Sequence, residues 1–257
     1  MTKADLYIIA AGKGSRMGGN VPKALVPITN EPNLTTTLKQ IGDKFTNVFI
    51  VTNANIQDQW VAYFMSLEDE LSKNVKNISI ESGLGDGHAV LSALNETVDY
   101  MNHEIVIAWG DVFFPHGEII DELLAQPQNG VGIIPAVMKA NPYVTLLSDE
   151  KLRIISADFS KYGECHPTGF HDQSVFRFNR YTLRDALRKL HRSLWKNGRY
   201  ITPGGELSLL YVFHYLHNKG RSATVYETHY PTLSFNTIDE VKQIQQEINE
   251  KWKNKSS

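Results

Sequence analysis

Apolar and polar positions along this chain follow two periods that take turns. Residues 6–11 form a compact apolar run with the length of a buried strand. Spaced apolar residues over 34–41 predict a short helix, and 48–52 predict a second strand. Trp60, Val61, Phe64, Met65, Leu67 and Leu71 then recur at helical spacing, which predicts an amphipathic helix whose aromatic stripe is core. Strands are predicted over 75–80 and 105–109, with a helix opening near His88 between them. A helix over 115–124 and a strand over 131–138 continue the alternation.

The stretch 140–173 is less regular, with a predicted strand over 152–157 and a polar segment suited to loops over a pocket. A weak strand over 174–178 leads into a helix over 181–195. Leu183, Leu187, Leu190 and Leu194 share one face of it, and Arg184, Arg188, Lys189 and Arg192 form a solvated face. A helix over 206–219 with Gly220 as its C-cap and a strand over 223–227 follow. Thr237 with Glu240 makes a capping box for a closing helix lined by Ile238, Val241, Ile244, Ile248 and Trp252. Strands alternating with helices predict an α/β fold: a Rossmann-like, mixed and mainly parallel sheet flanked by helices, with ligands at the carboxyl ends of its strands.

Composition narrows the partners. The 257 residues are 42% apolar, enough for a sizeable core, and a formal charge of −2 argues against a broad nucleic-acid-binding surface. Cys165 is the single cysteine, which excludes an internal disulfide and a cysteine-based zinc cluster, and His166 beside it reads as a loop residue. No apolar stretch approaches membrane-spanning length, and the early apolar run leads directly into a glycine-rich turn rather than a cleavage site. The expectation is a cytoplasmic protein with no membrane partner, homo-oligomerisation being left open.

That glycine-rich turn is the most informative stretch. The strand breaks after Ala10 and Ala11 at Gly12 and Gly14, and Ser15, Arg16 and, behind Pro22, Lys23 follow. A glycine-rich turn after a strand exposes N–H groups that can surround phosphate oxygens, and two fixed cations complete the outline of a triphosphate site. No G-K-[ST] ends the loop, and the third glycine of the dinucleotide fingerprint is missing.

With A-A-G-K-G-S-R-M at 10–17 and P-K-A-L-V-P at 22–27, the chain resembles the sugar-phosphate nucleotidyltransferases, cytidylyl- and uridylyltransferases among them, which share a GT-A-like fold. The resemblance implies a single domain over 1–257: a nucleotide-binding half at 1–138, an acceptor-binding half at 139–235 and a closing helix at 236–257. It assigns Ala10, Ala11, Gly12, Gly14 and Ser15 to the nucleotide, Arg16 to the departing phosphates, and Lys23 to the gap between the α-phosphate and the acceptor phosphate. Asp111, after the strand at 105–109, and Asn236 would hold Mg²⁺, and Gly169 and Glu206 would contact the acceptor. G-D-G-H-A-V at 85–90 is similar to the uridylyltransferases that make N-acetylglucosamine nucleotides, which implies that Gly85 and Gly87 meet the base.

Asp86 stands where those enzymes usually have threonine, and Glu81 lies near the place of a base-reading glutamine. Ionised carboxylates only accept hydrogen bonds, so either one facing the 4-position of the ring favours the amino group of CTP over the carbonyl of UTP. If both face water, a UTP-dependent sugar-1-phosphate uridylyltransferase is the alternative. The acceptor would be a sugar 1-phosphate or a phosphorylated alcohol or amino compound, as used in surface-polysaccharide or related precursor synthesis. A nucleotide-sugar glycosyltransferase would want a D-x-D motif, whereas Val112 and Phe113 follow Asp111. A non-catalytic nucleotide binder would be expected to lack Arg16 or Lys23.

Overall fold

The computed structural model describes residues 4–255 apart from 13, 15, 16, 18–20, 82, 101, 128, 164 and 165, with side chains to residue 250. Ser15, Arg16, Cys165 and the side chain of Trp252 therefore lie outside the described residues.

The first half is built of parallel strands with helical crossovers. In order it contains β1 (Ala4–Ile9), α1 (Asn33–Ile41), β2 (Asn47–Asn53), α2 (Gln57–Ser66), α3 (Asp69–Ser72), β3 (Val75–Ile80), α4 (Asp86–Glu96) and β4 (Glu104–Trp109). After β4 come β5 (Val112–Phe113), α5 (Glu118–Ala125), β6 (Gly132–Ala140), β7 (Val144–Ser148), β8 (Ile154–Phe159), β9 (Thr168–Asp172) and β10 (Val175–Asn179). The chain continues through α6 (Arg180–Leu194), β11 (Trp195–Lys196), β12 (Arg199–Tyr200), α7 (Tyr211–His217), β13 (Thr224–Glu227), β14 (Leu233–Ser234) and α8 (Ile238–Lys255).

Among the described residues ten strands form one sheet, in the order β3, β2, β1, β4, β10, β6, β9, β7, β8, with β13 also on β6. Pairs among β3, β2, β1 and β4 are parallel, whereas β10 joins both β4 and β6 antiparallel and β9, β7 and β8 extend that antiparallel half. Strands β1 and β4 are buried on both faces, so Leu6, Ile8, Val106 and Ala108 pack under α1 and α5 while Tyr7, Ile105 and Ile107 pack under α4 and α6. This is the fold class expected from the alternation of periods.

Two predicted helices come out differently. The stretch 60–71 divides into α2 and α3 at an extended Leu67, and Val61 and Met65 point to solvent, while Trp60 and Tyr63 are buried and Phe64, Leu67 and Leu71 pack against the same core. The helix expected over 206–219 is only α7. Residues 206–210 stay irregular because their backbone pairs elsewhere: the Leu207 N–H donates to the Leu84 carbonyl, and the Leu207 carbonyl accepts from the Gly87 N–H (both 2.9 Å). The capping box of α8 forms, with Thr237 Oγ1 accepting from the Glu240 N–H at 3.2 Å and Glu240 Oε2 accepting from the Thr237 N–H at 3.0 Å.

Two buried arginines hold the halves of the sheet together. Arg180 meets the fully buried Asp5 at 2.6 Å, and Arg177 meets Glu104 at 3.0 Å while its Nη1 donates to the carbonyls of Leu123, Leu124 and Gln126 at the end of α5. Each buried charge is thereby paired and hydrogen-bonded, the condition for tolerating it in a core.

Candidate active site

Strand β1 delivers Ala10 and Ala11, both buried, to the carboxyl edge of the sheet, where the Ala10 N–H is tied to the Val51 carbonyl at 2.8 Å. The chain then opens into the glycine-rich turn. Among the described residues a Cβ at Gly12 would meet nothing within 4 Å, and Gly14 has φ +62° with the Val21 carbonyl close behind it. Pro22 starts a single 3₁₀ turn, Lys23–Leu25, whose Ala24 packs directly on Gly110; a Cβ there would lie 3.2 Å from that of Ala24 and 3.0 Å from that of Ala10. Glycine at 110 is what lets the lysine turn and the end of β4 touch.

The contact brings together three of the residues singled out in the sequence. Lys23 Nζ donates to Asp111 Oδ2 at 2.8 Å and to Asn236 Oδ1 at 2.7 Å, across separations of 88 and 213 positions. Asn236 arrives through β14, which pairs antiparallel with β5 so that Leu233 faces Phe113 and Ser234 faces Val112. The Phe235 N–H then donates to the Asp111 carbonyl at 3.0 Å. All three side chains keep a path to solvent, with Lys23 and Asp111 only 19% and 28% exposed.

Two hard oxygen donors thus converge on one cationic position, held here by an ammonium. Among the described residues no three His, Cys, Asp or Glu side chains gather to hold a metal by themselves. One carboxylate and one amide oxygen fit a Mg²⁺ ion that takes its remaining ligands from phosphates and water. They do not suit a fully protein-caged metal.

The loop before α4 is shaped by packing. Gly85 adopts φ +96° and a Cβ on it would lie 2.4 Å from the Leu207 carbonyl; one on Gly87 would lie 2.8 Å from the Leu209 nitrogen. Both glycines therefore seat the segment 206–209, and Glu206 reaches this loop with its own Cβ 2.9 Å from the position a Gly85 Cβ would take. Asp86 Oδ1 accepts from the Leu209 N–H at 2.5 Å. Dense protein around this carboxyl raises it above the usual carboxylate range, opposed by hydrogen bonds from Leu209, Ser208 and Gly87, and its solvent-exposed edge limits that rise. Asp86, assigned to the base from the sequence, here uses Oδ1 to anchor the 206–209 segment. Glu81, just past β3, is exposed. Gly169 also has a packing reason, since a Cβ there would lie 2.5 Å from Thr145 Cγ2.

The sequence reading missed two features. One is a cluster behind the glycine loop, where the Tyr200 hydroxyl bonds both His88 Nδ1 at 2.6 Å and His191 Nδ1 at 2.7 Å. Burial, then the neighbouring His191, lowers the His88 imidazole. The H-A-V that follows the glycines was visible, but its partners lie on α6 and β12. The other is a cavity of about 300 Å³ beside β14, lined by Lys139, His171, Asp172, Ser234, Glu240 and Glu247 among others; neither Gly169 nor Glu206 lines it. Burial raises the Asp172 carboxyl, with the charge of His171 opposing.

The family model for the MobA-like NTP transferase domain matches residues 6–198, from β1 to the β11–β12 turn. The chain belongs to the MobA-like NTP transferase family. Its sugar-phosphate nucleotidyltransferase resemblance is supported by relatives named bifunctional protein GlmU. That of Francisella philomiragia is 28% identical over 134 residues, covering 52% of this chain and 28% of the relative. That of Francisella tularensis subsp. novicida is 28% identical over 141 residues, covering 54% of this chain and again 28% of the relative. The matched stretch is thus well under half of those proteins. HddC from Yersinia pseudotuberculosis, solved in complex with GMP-PN, superposes with a TM-score of 0.67 at 15% identity, covering 95% of this chain and 99% of that one. Its structure without that ligand gives 0.65 at 16% identity. These neighbours show that this MobA-like NTP transferase has their fold.

Proposed function

We propose that the chain transfers a nucleoside monophosphate from an NTP to a small phosphorylated acceptor and releases pyrophosphate. The observation that carries this reading is the convergence of Lys23, Asp111 and Asn236 at the mouth of the glycine-rich turn. Such a transfer needs neutralisation of the triphosphate, an in-line nucleophile and stabilisation of the leaving pyrophosphate. The acceptor phosphate is ionised at neutral pH and needs no general base.

The turn at Gly12 and Gly14 would cradle the phosphates, with Ala10, Ala11 and Ser15 beside them and Arg16 on the departing end. Asp111 and Asn236 would hold Mg²⁺, which when bound neutralises phosphate charge. Lys23 keeps the two oxygen donors together before substrate arrives. With the donors engaged elsewhere, its ammonium would turn to the gap between the two phosphates, lowering the repulsion of anions brought to bonding distance. The cavity beside β14 offers the acceptor room next to this centre, lined by both cationic and anionic groups, and suits a sugar 1-phosphate or a phosphorylated alcohol or amino compound of surface-polysaccharide or related precursor synthesis.

For the base, Glu81 now carries the argument alone. An exposed carboxylate beside the Gly85–Gly87 loop favours the cytosine amino group over the uracil carbonyl, and CTP is the proposed donor. A mismatched polar pair there is worth roughly 1–3 kcal/mol, about tenfold to a hundredfold in preference. Calorimetry with CTP, UTP and GTP on the native chain and Glu81→Gln tests this: the native chain should prefer CTP and the variant should lose that preference. A native preference for UTP would replace it with the uridylyltransferase reading. Incubating each NTP with Mg²⁺ and a panel of phosphorylated acceptors tests the reaction class, because glycosyl transfer from a nucleotide sugar without pyrophosphate would sink it.

A further inference from the structure

Asn33, the first residue of α1, is 1% exposed and touches neither end of the proposed reaction. Its side-chain amide donates to the Val112 carbonyl at 2.8 Å and to the Gly110 carbonyl at 3.3 Å, the two peptide oxygens that flank Asp111. Its backbone N–H donates to the Val26 carbonyl at 3.0 Å, and the Val26 N–H in turn donates to the Lys23 carbonyl at 3.0 Å. One buried residue therefore grips both the turn that presents Asp111 and the turn that presents Lys23. The remaining freedom of the Asp111 turn is taken up by the Gly110 N–H on the Ile9 carbonyl and by the Phe235 N–H on the Asp111 carbonyl.

The other half of the amide tells against a purely stabilising role. Asn33 Oδ1 is buried and has no hydrogen-bond partner among the described residues. The amide cannot simply be reversed, because Oδ1 would then face two carbonyl oxygens. A buried acceptor left unpaired opposes folding and offsets part of what the two donated hydrogen bonds contribute. A polar group kept at such a site is explained by what its donor end holds in place.

We infer that Asn33 is a positioning residue that fixes the Asp111 carboxylate relative to Lys23 for metal-bound nucleotide. The inference rests on the reading of Asp111 as a metal-holding group. Asn33 acts through the peptide carbonyls on either side of Asp111 rather than on the carboxylate itself, and groups that orient a metal ligand commonly change metal affinity or activity by roughly 10- to 100-fold when removed.

The test uses the full chain and Mn²⁺ as a spectroscopic probe, titrated by electron paramagnetic resonance in the presence of CTP or UTP. Asn33→Leu leaves the Gly110 and Val112 carbonyls without this donor, so its unfolding midpoint should fall, while the protein stays folded at the assay temperature with unchanged metal-free nucleotide binding. Its Mn²⁺ affinity should nevertheless fall about 10- to 100-fold, with turnover falling alongside and the Mg²⁺ requirement moving upward. Asn33→Ser, which is smaller and retains one donor, covers the case in which leucine does not fit and should show the same split. A folded variant of either kind with native Mn²⁺ affinity and turnover overturns the positioning role. Asp111→Ala separates the levels: if it loses Mn²⁺ while the Asn33 variants do not, the clamp alone is wrong, and if it binds Mn²⁺ like the native chain, the clamp and the reading of Asp111 fall together.

Discussion

Lys23 occupies the position at which the proposed chemistry is most easily broken. Its ammonium is the cation on which Asp111 and Asn236 meet, and in the proposed reaction it stands between two phosphates. Lys23→Ala should lower kcat by about 100-fold or more, since losing one preorganised contact to developing charge has that order of effect. Nucleotide affinity measured by calorimetry should change little. Normal turnover of Lys23→Ala with saturating acceptor would show that the charge is not needed there. The lysine was legible in the sequence because Pro22-Lys23 follows a glycine-rich turn. Asn33 was not, because its two carbonyl partners lie 77 and 79 positions away and an asparagine after a proline looks like any turn.

At the scale of elements, α4 and the segment 206–209 are built against each other. Gly85→Ala would force a Cβ into the Leu207 backbone at a φ of +96° that side chains rarely adopt. Overpacking of this kind costs about 1–3 kcal/mol before backbone strain is added. Thermal unfolding should therefore move down, and nucleotide binding should weaken with it; a Gly85→Ala protein of native stability would refute the close seating. The same packing explains where local reasoning ran out. The parallel half was legible because β1, β2 and β4 carry compact apolar runs and β3, Val75–Ile80, is a short strand with apolar Val75, Ile78 and Ile80, all set between helical periods. Leu207 and Leu209 also look helical in sequence, but the Leu207 peptide groups are spent on Leu84 and Gly87 and the Leu209 N–H on Asp86. Strands β7 and β9 escaped notice because Val144–Ser148 and Thr168–Asp172 are short, mixed in polarity and set among turn residues.

Across the whole molecule, Arg180 and Asp5 join the first strand to the helix that follows β10, and Asn47 and Asn102 donate to the other Asp5 oxygen. Removing one partner of a buried pair leaves an uncompensated charge, so Arg180→Ala should cost about 3–5 kcal/mol in denaturant unfolding. A loss below ~1 kcal/mol, the range of surface pairs, would mean the site is wetter than its burial indicates. Strands β1 and β4 pair in parallel from Ala4 opposite Glu104 to Ile9 opposite Trp109, and their carboxyl ends carry the glycine-rich turn and Asp111. We propose that these ends, closed by Asn236 from β14, form a nucleotidyl-transfer centre. It is tested most directly by acceptor-dependent pyrophosphate release, measured with Mg²⁺ and then with excess chelator, for the native chain, Asp111→Ala and Lys23→Ala. The account predicts release by the native chain only when metal, NTP and phosphorylated acceptor are all present, with loss in both variants. Release that survives chelation or the Asp111→Ala change would contradict it.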